Sequence, residues 1–299
     1  MNHLTLDHLV IAVRDLDRAT DAYSKLLGLV PSWHGSHPTY GTANVLFRLP
    51  ETYIELLAPA GESTRAGLQP GVKSPWLQAL RQHLDTAGEG LYAVALGTDD
   101  IDATVASARA RGLSVADPAR GDGVDQKTGA CRAWRNARIA PESTRQVLAF
   151  FIQHDSPPGA LPLAQATDAQ ACVTSIDHVV LASSDLTDCA RLWHETIGLD
   201  LRATVDRPEG RRLQFLRLGG SILELAGETA PAQPGARDLL WGVAYRVDDL
   251  TRTVQRLRAA AVDVSDARAG NAPGTLVADL KPGFSHDVRT LFIQKDQPQ

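Results

Sequence analysis

The sequence predicts an α+β protein built from four βαβββ modules, paired into two domains that are each a curved eight-stranded mixed sheet with helices outside. Three observations carry this. Residues 7–16 read DHLVIAVRDL and residues 177–186 read DHVVLASSDL, so the chain repeats itself internally. A second pair, VALGTDDIDATVASARARGLSV (94–115) and VAYRVDDLTRTVQRLRAAAVDV (243–264), repeats at a different offset, giving four units. The length of 299 residues suits about two domains of roughly 150 residues each.

The elements follow in order. LDHLVIAV is apolar almost throughout, as a buried strand should be. DRATDAYSKLL spaces Ala19, Ala22, Tyr23, Leu26 and Leu27 along one helical face, and Gly28 stops that helix. Strands are expected near 29–34, 41–49 and 52–58, completing the first unit. An insertion between Glu55 and Val94 carries a helical stretch, SPWLQALRQHL (74–84), bounded by Pro70, Gly71, Gly88 and Gly90. The closing strands FFIQHD (150–155) and LFIQKD (291–296) repeat as well. HDSPPGALPLAQATDAQACV (154–173) is rich in Pro and Ala, the composition of a linker open to proteases. The expected boundaries are therefore 1–155, a linker at 156–173, and 174–299. Paired units leave a concave face as the ligand site.

Composition narrows the class. With 43% hydrophobic and 22% charged residues, a net charge of −5 and no block of Lys or Arg, a nucleic-acid partner is not expected. No apolar run approaches the roughly 20 residues of a membrane span, and MNHLTLDH lacks a signal-peptide pattern, so the expected location is the cytoplasm. Cys131, Cys172 and Cys189 form an odd set without metal-ligand spacing and read as free thiols. Asp99-Asp100 and Asp248-Asp249 precede helices and read as caps; His194-Glu195 reads as helix surface.

The tandem βαβββ pattern, with Asp-His on the first strand and Glu-x-Leu on the fourth, resembles the vicinal oxygen chelate superfamily. That superfamily contains glyoxalase I, extradiol dioxygenases and fosfomycin- or bleomycin-resistance proteins. The first half, with LDHLVIAV, HPTYGTANVLFRLPETYIELL (37–57), RAWR (132–135) and LAFFIQ, is similar to the glyoxalase-like domain family. The second half matches the general superfamily pattern.

The resemblance implies metal ligands on the first and last strands of paired units. His8 and Glu55 stand at such positions in the first half, and His178 and Glu224 in the second. The partner units offer Leu91-Tyr92-Ala93 and Trp241-Gly242 where a histidine is expected, and Phe150-Phe151 and Leu291-Phe292 where a glutamate is expected. The cofactor is then either one divalent ion (Zn, Ni, Mn or Fe) or none. An extradiol dioxygenase, which needs two histidines and a carboxylate around iron, fits least well. Three arrangements stay open. His8 and Glu55 form a metal-free hydrogen-bonded pair; or units one and three face each other, within the chain or across a homodimer, gathering His8, Glu55, His178 and Glu224; or His37 and Asn44 complete a site in the first half.

Two functions follow from these residues. One is a glyoxalase-like lyase or isomerase acting on a small oxygenated metabolite in the first domain, with Glu55 and His8 catalytic. Its substrate would lie against His37, Asn44, Tyr53, Tyr92, Trp134 and Phe150. The other is a non-catalytic small-molecule binding or resistance protein whose metal sites have degenerated. Trp134 with Arg132 and Arg135 would suit an anionic or aromatic ligand, and His286 is a candidate for the rim of the second cup.

Overall fold

The computed structural model describes residues 3–37, 40–60, 74–228 and 237–296. Pro38, Thr39, Pro70 and Gly71, named above, lie outside the described residues.

The first unit opens with β1 (Thr5–Ala12) and α1 (Leu16–Leu27). Side-chain alternation divides β1: Leu9 and Ile11 are fully buried toward the helices, while His8 and Val10 face the opposite side. Asp15 starts α1 by accepting from the Arg18 N–H at 3.0 Å. Gly28 ends it at φ 69°, a left-handed conformation that costs glycine little. Then come β2 (Leu29–Val30), β3 (Trp33–His37), β4 (Thr42–Arg48) and β5 (Tyr53–Pro59). The insertion folds as α2 (Pro75–Thr86), capped by Ser74, and buries Leu80 and Leu84 against Ala12, Leu57 and Tyr92. The second unit is β6 (Gly90–Gly97), α3 (Ile101–Ala110), β7 (Ala119–Asp125), β8 (Cys131–Arg138) and β9 (Ala149–His154).

These strands close into a barrel in the order β1-β5-β4-β3-β7-β8-β9-β6. β1 runs parallel to β5 and antiparallel to β6, and β3 meets β7 through Gly35↔Asp125 and Ser36↔Val124. Units one and two are thus neighbours on both sides. This corrects the arrangement in which units one and three face each other within the chain: β6 and β7 occupy both edges of unit one.

After β10 (Gln165–Ala166), the second half is β11 (Val173–Ser183), α4 (Leu186–Ala190) running into a π-helical turn at Arg191–Thr196, β12 (Asp200–Asp206), β13 (Arg211–Leu218) and β14 (Ser221–Glu228). Its last unit is β15 (Leu239–Val247), α5 (Leu250–Ala259), β16 (Arg268–Ala269), β17 (Thr275–Asp279) and β18 (Arg289–Lys295). The eight strands lie in the order β12-β13-β14-β11-β15-β18-β17-β16 and do not close. Asp100 and Asp249 cap α3 and α5, as their positions predict.

One continuous core joins the helices to the outer faces of both sheets, with Tyr23, Trp193, Tyr245 and Phe292 fully buried in it. Polar contacts cross the same seam reciprocally. Arg256 of α5 donates to the carbonyls of Lys25 and Leu26 at the end of α1, the latter at 3.0 Å. Arg111, just past α3, donates to the Thr196 and Ile197 carbonyls at 2.7 and 3.0 Å. Each arginine supplies donors to helix-end carbonyls that the other half leaves unpaired. Arg145 bridges Asp188 (2.8 Å) and the fully buried side chain of Asp238 (2.9 Å). His286 sits here too, bonded to Glu89 at 2.6 Å and stacked on Tyr23. It belongs to the seam, not to the rim of the second cup.

The segment between the sheets does not behave as a free tether. β10 pairs with β2, Ala164 N–H donates to the Arg48 carbonyl at 2.9 Å, and Leu161 is buried among Trp33, Leu46 and Tyr53. Of the linker residues expected to be open to proteases, Pro157, Pro158 and Gly159 are exposed, while the stretch after them is docked on the first domain. Among the described residues no helix is long and apolar enough to cross a membrane. Cys131 is exposed, Cys172 and Cys189 are buried, and all three are free thiols.

Candidate functional site

The inner face of the first barrel encloses a cavity of about 120 Å³, comparable in size with a cavity that holds one benzene ring. All eight residues proposed for the first half border it: His8 of β1, His37 of β3, Asn44 of β4, Tyr53 and Glu55 of β5, Tyr92 of β6, Trp134 of β8 and Phe150 of β9. Strand pairing brings them together. His8 lies opposite Tyr53, Leu46 opposite Glu55, and Asn44 opposite Leu57. His178 and Glu224 belong to the other sheet, away from this cavity.

Glu55 has two partners. One carboxylate oxygen accepts from Asn44 Nδ2 at 2.7 Å and the other lies 3.4 Å from His8 Nε2. The opposite ring nitrogen of His8 reaches Asp7 at 2.6 Å, and the second Asp7 oxygen lies 2.8 Å from His154 Nε2. A hydrogen-bonded chain therefore runs His154–Asp7–His8–Glu55–Asn44. The His8 ring stacks on Tyr53 at 4.3 Å and meets Phe150 edge-on at 5.5 Å.

This chain sets the charges. Burial alone would push Asp7 up, but hydrogen bonds from His154 and His8 outweigh it and hold Asp7 far below the usual carboxylate range. Burial disfavours the His8 cation, yet acceptance by Asp7 and Glu55 raises its pKa above the ordinary histidine value. Glu55 is likewise lowered, with the hydrogen bonds from His8 and the Asn44 amide overcoming burial. His37 is lowered by burial and by the nearby Arg132 charge. At neutral pH the site presents an ionised Glu55 and a neutral His37, with the protonated form of His8 favoured by its two carboxylate partners.

The second half repeats the framework with different chemistry. His178 bonds Asp177 at 2.9 Å, and its other nitrogen stands 3.7 Å from Glu224. Asp177 is held by Arg246 and Lys295, at 2.7 and 2.6 Å, where Asp7 has His154. Leu213, opposite Ala226, occupies the register of Asn44. Without an amide donor, burial prevails and Glu224 is shifted upward, opposite to Glu55.

The donor set does not fit a metal held by three or more protein ligands. Among the described residues no group of three His, Cys, Asp or Glu side chains is placed to hold one. Ala93 and Phe150 line the cavity wall where further ligands would be needed, and His8 is already bonded through both nitrogens.

Several cavity residues escaped the sequence reading. Trp33 precedes His34 in β3 and carried no motif; Trp76 belongs to the insertion and has no repeat counterpart to draw attention to it. Arg132 and Arg135, considered together as a clamp, part company. Arg132 is 6% exposed and lines the cavity, whereas Arg135 turns outward to Asp102 at 2.8 Å. Alternation along β8, with Arg132, Trp134 and Asn136 inward, was the available signal.

Comparison with known proteins agrees with this architecture. Residues 6–176 match the model of the glyoxalase-like domain, and residues 175–277 match that of the glyoxalase/bleomycin resistance protein/dioxygenase superfamily. A curated ethylmalonyl-CoA/methylmalonyl-CoA epimerase of Cereibacter sphaeroides is 39% identical over 59 residues, which is 20% of this chain and 44% of that protein. A mutant 4-hydroxymandelate synthase from Streptomyces coelicolor superposes with a TM-score of 0.67 at 15% identity, covering 100% of this chain and 94% of the other. An Mn(II)-bound glyoxalase from Novosphingobium aromaticivorans superposes with a TM-score of 0.63 at 17% identity, covering 99% and 84%. At these identities the solved structures speak to fold alone. The chain belongs to the glyoxalase-like domain family, within the vicinal oxygen chelate superfamily.

Proposed function

We propose that the protein is an isomerase- or lyase-type enzyme of this superfamily, and that its first-domain cavity removes a proton from carbon next to a carbonyl. The observation that carries the reading is Glu55, an ionised carboxylate fixed by Asn44 at 2.7 Å and by His8 at 3.4 Å in the wall of an aromatic cavity. Glu55 takes the proton, the C–H electron pair moves toward the carbonyl oxygen, and the carboxyl then returns a proton to carbon or the intermediate expels a leaving group. His8 helps keep Glu55 ionised despite burial, and Asp7, itself bonded to His154, orients His8 and favours its charged form. The local likeness to an epimerase acting on acyl-CoA substrates points to the same kind of step.

The test is solvent exchange. Carbonyl compounds bearing an acidic α-hydrogen, methylmalonyl-CoA among them, are incubated with the protein in D2O and followed by NMR. Enzyme-dependent deuterium uptake supports the reading, with Glu55→Gln slowing it about 10²–10⁴-fold. A second reading, a non-catalytic binding protein, is favoured by the apolar Ala93 and Phe150 in the cavity wall. Binding without exchange in the wild type would select it.

A further inference from the structure

Among the described residues, Arg132 is the cation of the cavity without an acidic partner. It is 6% exposed, yet among the described residues no carboxylate lies within ion-pair distance of it. Its neighbours are aromatic: the guanidinium carbon stands 5.4 Å from the ring centres of Trp33 and Tyr53 and 5.8 Å from that of Trp134. Asp7 and Glu55 are engaged with His154, His8 and Asn44. Cation–π contacts offset part of the cost of burying a guanidinium but do not replace a counter-ion. Arg132 also has the Tyr53 hydroxyl as a hydrogen-bond partner, but a neutral acceptor leaves the charge uncompensated, and a largely desolvated arginine without a counter-ion facing a cavity is a seat for an anion.

We propose that the cavity takes a carboxylate-bearing small molecule, its carboxylate paired with Arg132 and its apolar part lying against Trp134 and Phe150. The inference deepens the reading of this cavity as the active site and rests on it. The ligand is a carboxylate because Arg132 is, among the described residues, the cavity cation left without a carboxylate partner, and its planar fork matches two carboxylate oxygens. A phosphate dianion would need more positive charge than Arg132 supplies, because His8 is already engaged by Asp7 and Glu55, Glu55 is ionised in the same cavity and His37 is neutral. The substrate class is then a carboxylic acid whose acidic C–H can reach Glu55 while its carboxylate rests on Arg132.

The probes are phenylacetate and its neutral isostere phenylacetamide, titrated into the full-length protein and followed by tryptophan fluorescence, since Trp33, Trp76 and Trp134 border the cavity. The wild type is expected to bind phenylacetate at least about tenfold more tightly than the amide. Arg132→Gln should bring the two within about twofold, and Arg132→Lys, which keeps the charge but not the fork, should retain part of the preference. Circular dichroism checks the variants; if Arg132→Gln does not fold, the wild-type probe pair and Arg132→Lys decide. Equal binding of both probes to the wild type, or a preference that survives Arg132→Gln, would overturn the anion seat and leave the cavity a neutral ligand site. Binding of neither probe would count against the seat and the cavity together. Glu55→Gln should lose exchange while keeping the carboxylate preference, which separates the two proposals.

Discussion

Asn44 donates to Glu55 across β4 and β5 at 2.7 Å, and the residue in the same register of the second sheet is Leu213. The two glutamates therefore differ although backbone position, strand order and flanking histidine are shared. Glu55 is drawn below the ordinary glutamate range and Glu224 above it. The difference arises from polar partners and not from the fold, which is why one half is a better candidate for chemistry than the other.

Replacing Asn44 by the leucine of its repeat counterpart removes a donor from a buried carboxylate. Asn44→Leu is expected to destabilise the protein by about 1–3 kcal/mol in urea unfolding at neutral pH. It should also move the acid limb of the exchange rate to higher pH, because Glu55 then protonates more readily. An unmoved acid limb would show that Asn44 does not set the charge of Glu55.

The polar chain predicts a dependence of stability on pH with two windows. His8 is raised in the folded state, so its contribution is complete below its ordinary value of 6.5 and is lost as pH rises through the elevated folded value. Asp7 and Glu55 are lowered, so theirs is present above their ordinary values of 3.8 and 4.5 and is lost on acidification through the folded values. Unfolding midpoints should fall on the alkaline side in the wild type, and the fall should be shallower in His8→Gln. An unchanged alkaline slope in His8→Gln would contradict this assignment.

At the seam between domains, Arg145 compensates Asp238, whose side chain is fully buried. Arg145→Met leaves that carboxylate without its cation and should cost about 3–5 kcal/mol. Arg145→Met with Asp238→Leu should recover much of the loss, since replacing both charges removes the uncompensated one. A double variant no better than the single would mean that Arg145 acts through packing, not charge.

The fold was legible because the repeat fixes the strands: Asp7-His8 returns as Asp177-His178, and Glu55 as Glu224. The first cavity was largely legible too, since eight residues chosen from strand parity and motif border it. Barrel closure was not, because β3 and β7 meet through backbone pairs at Gly35 and Ser36 that carry no side-chain signature. Trp76 was missed because an insertion has no counterpart to compare. His286 was misplaced because its partner, Glu89, lies 197 residues away in sequence, a contact only tertiary folding creates.

The donor set of the cavity predicts that protein purified without added metal contains far less than one equivalent of Mn, Fe, Ni or Zn. Elemental analysis of the purified chain checks this. One equivalent that is lost in Glu55→Gln would show that His8 and Glu55 bind a metal despite having no third protein ligand among the described residues.

Deuterium exchange with Glu55→Gln and Glu224→Gln measured side by side distinguishes chemistry on Glu55 from chemistry on its repeat counterpart. Both substitutions keep side-chain volume and remove a carboxylate. Chemistry on Glu55 predicts exchange reduced at least about 100-fold in Glu55→Gln and close to wild type in Glu224→Gln. Equal loss in the two, or no loss in Glu55→Gln, would contradict it.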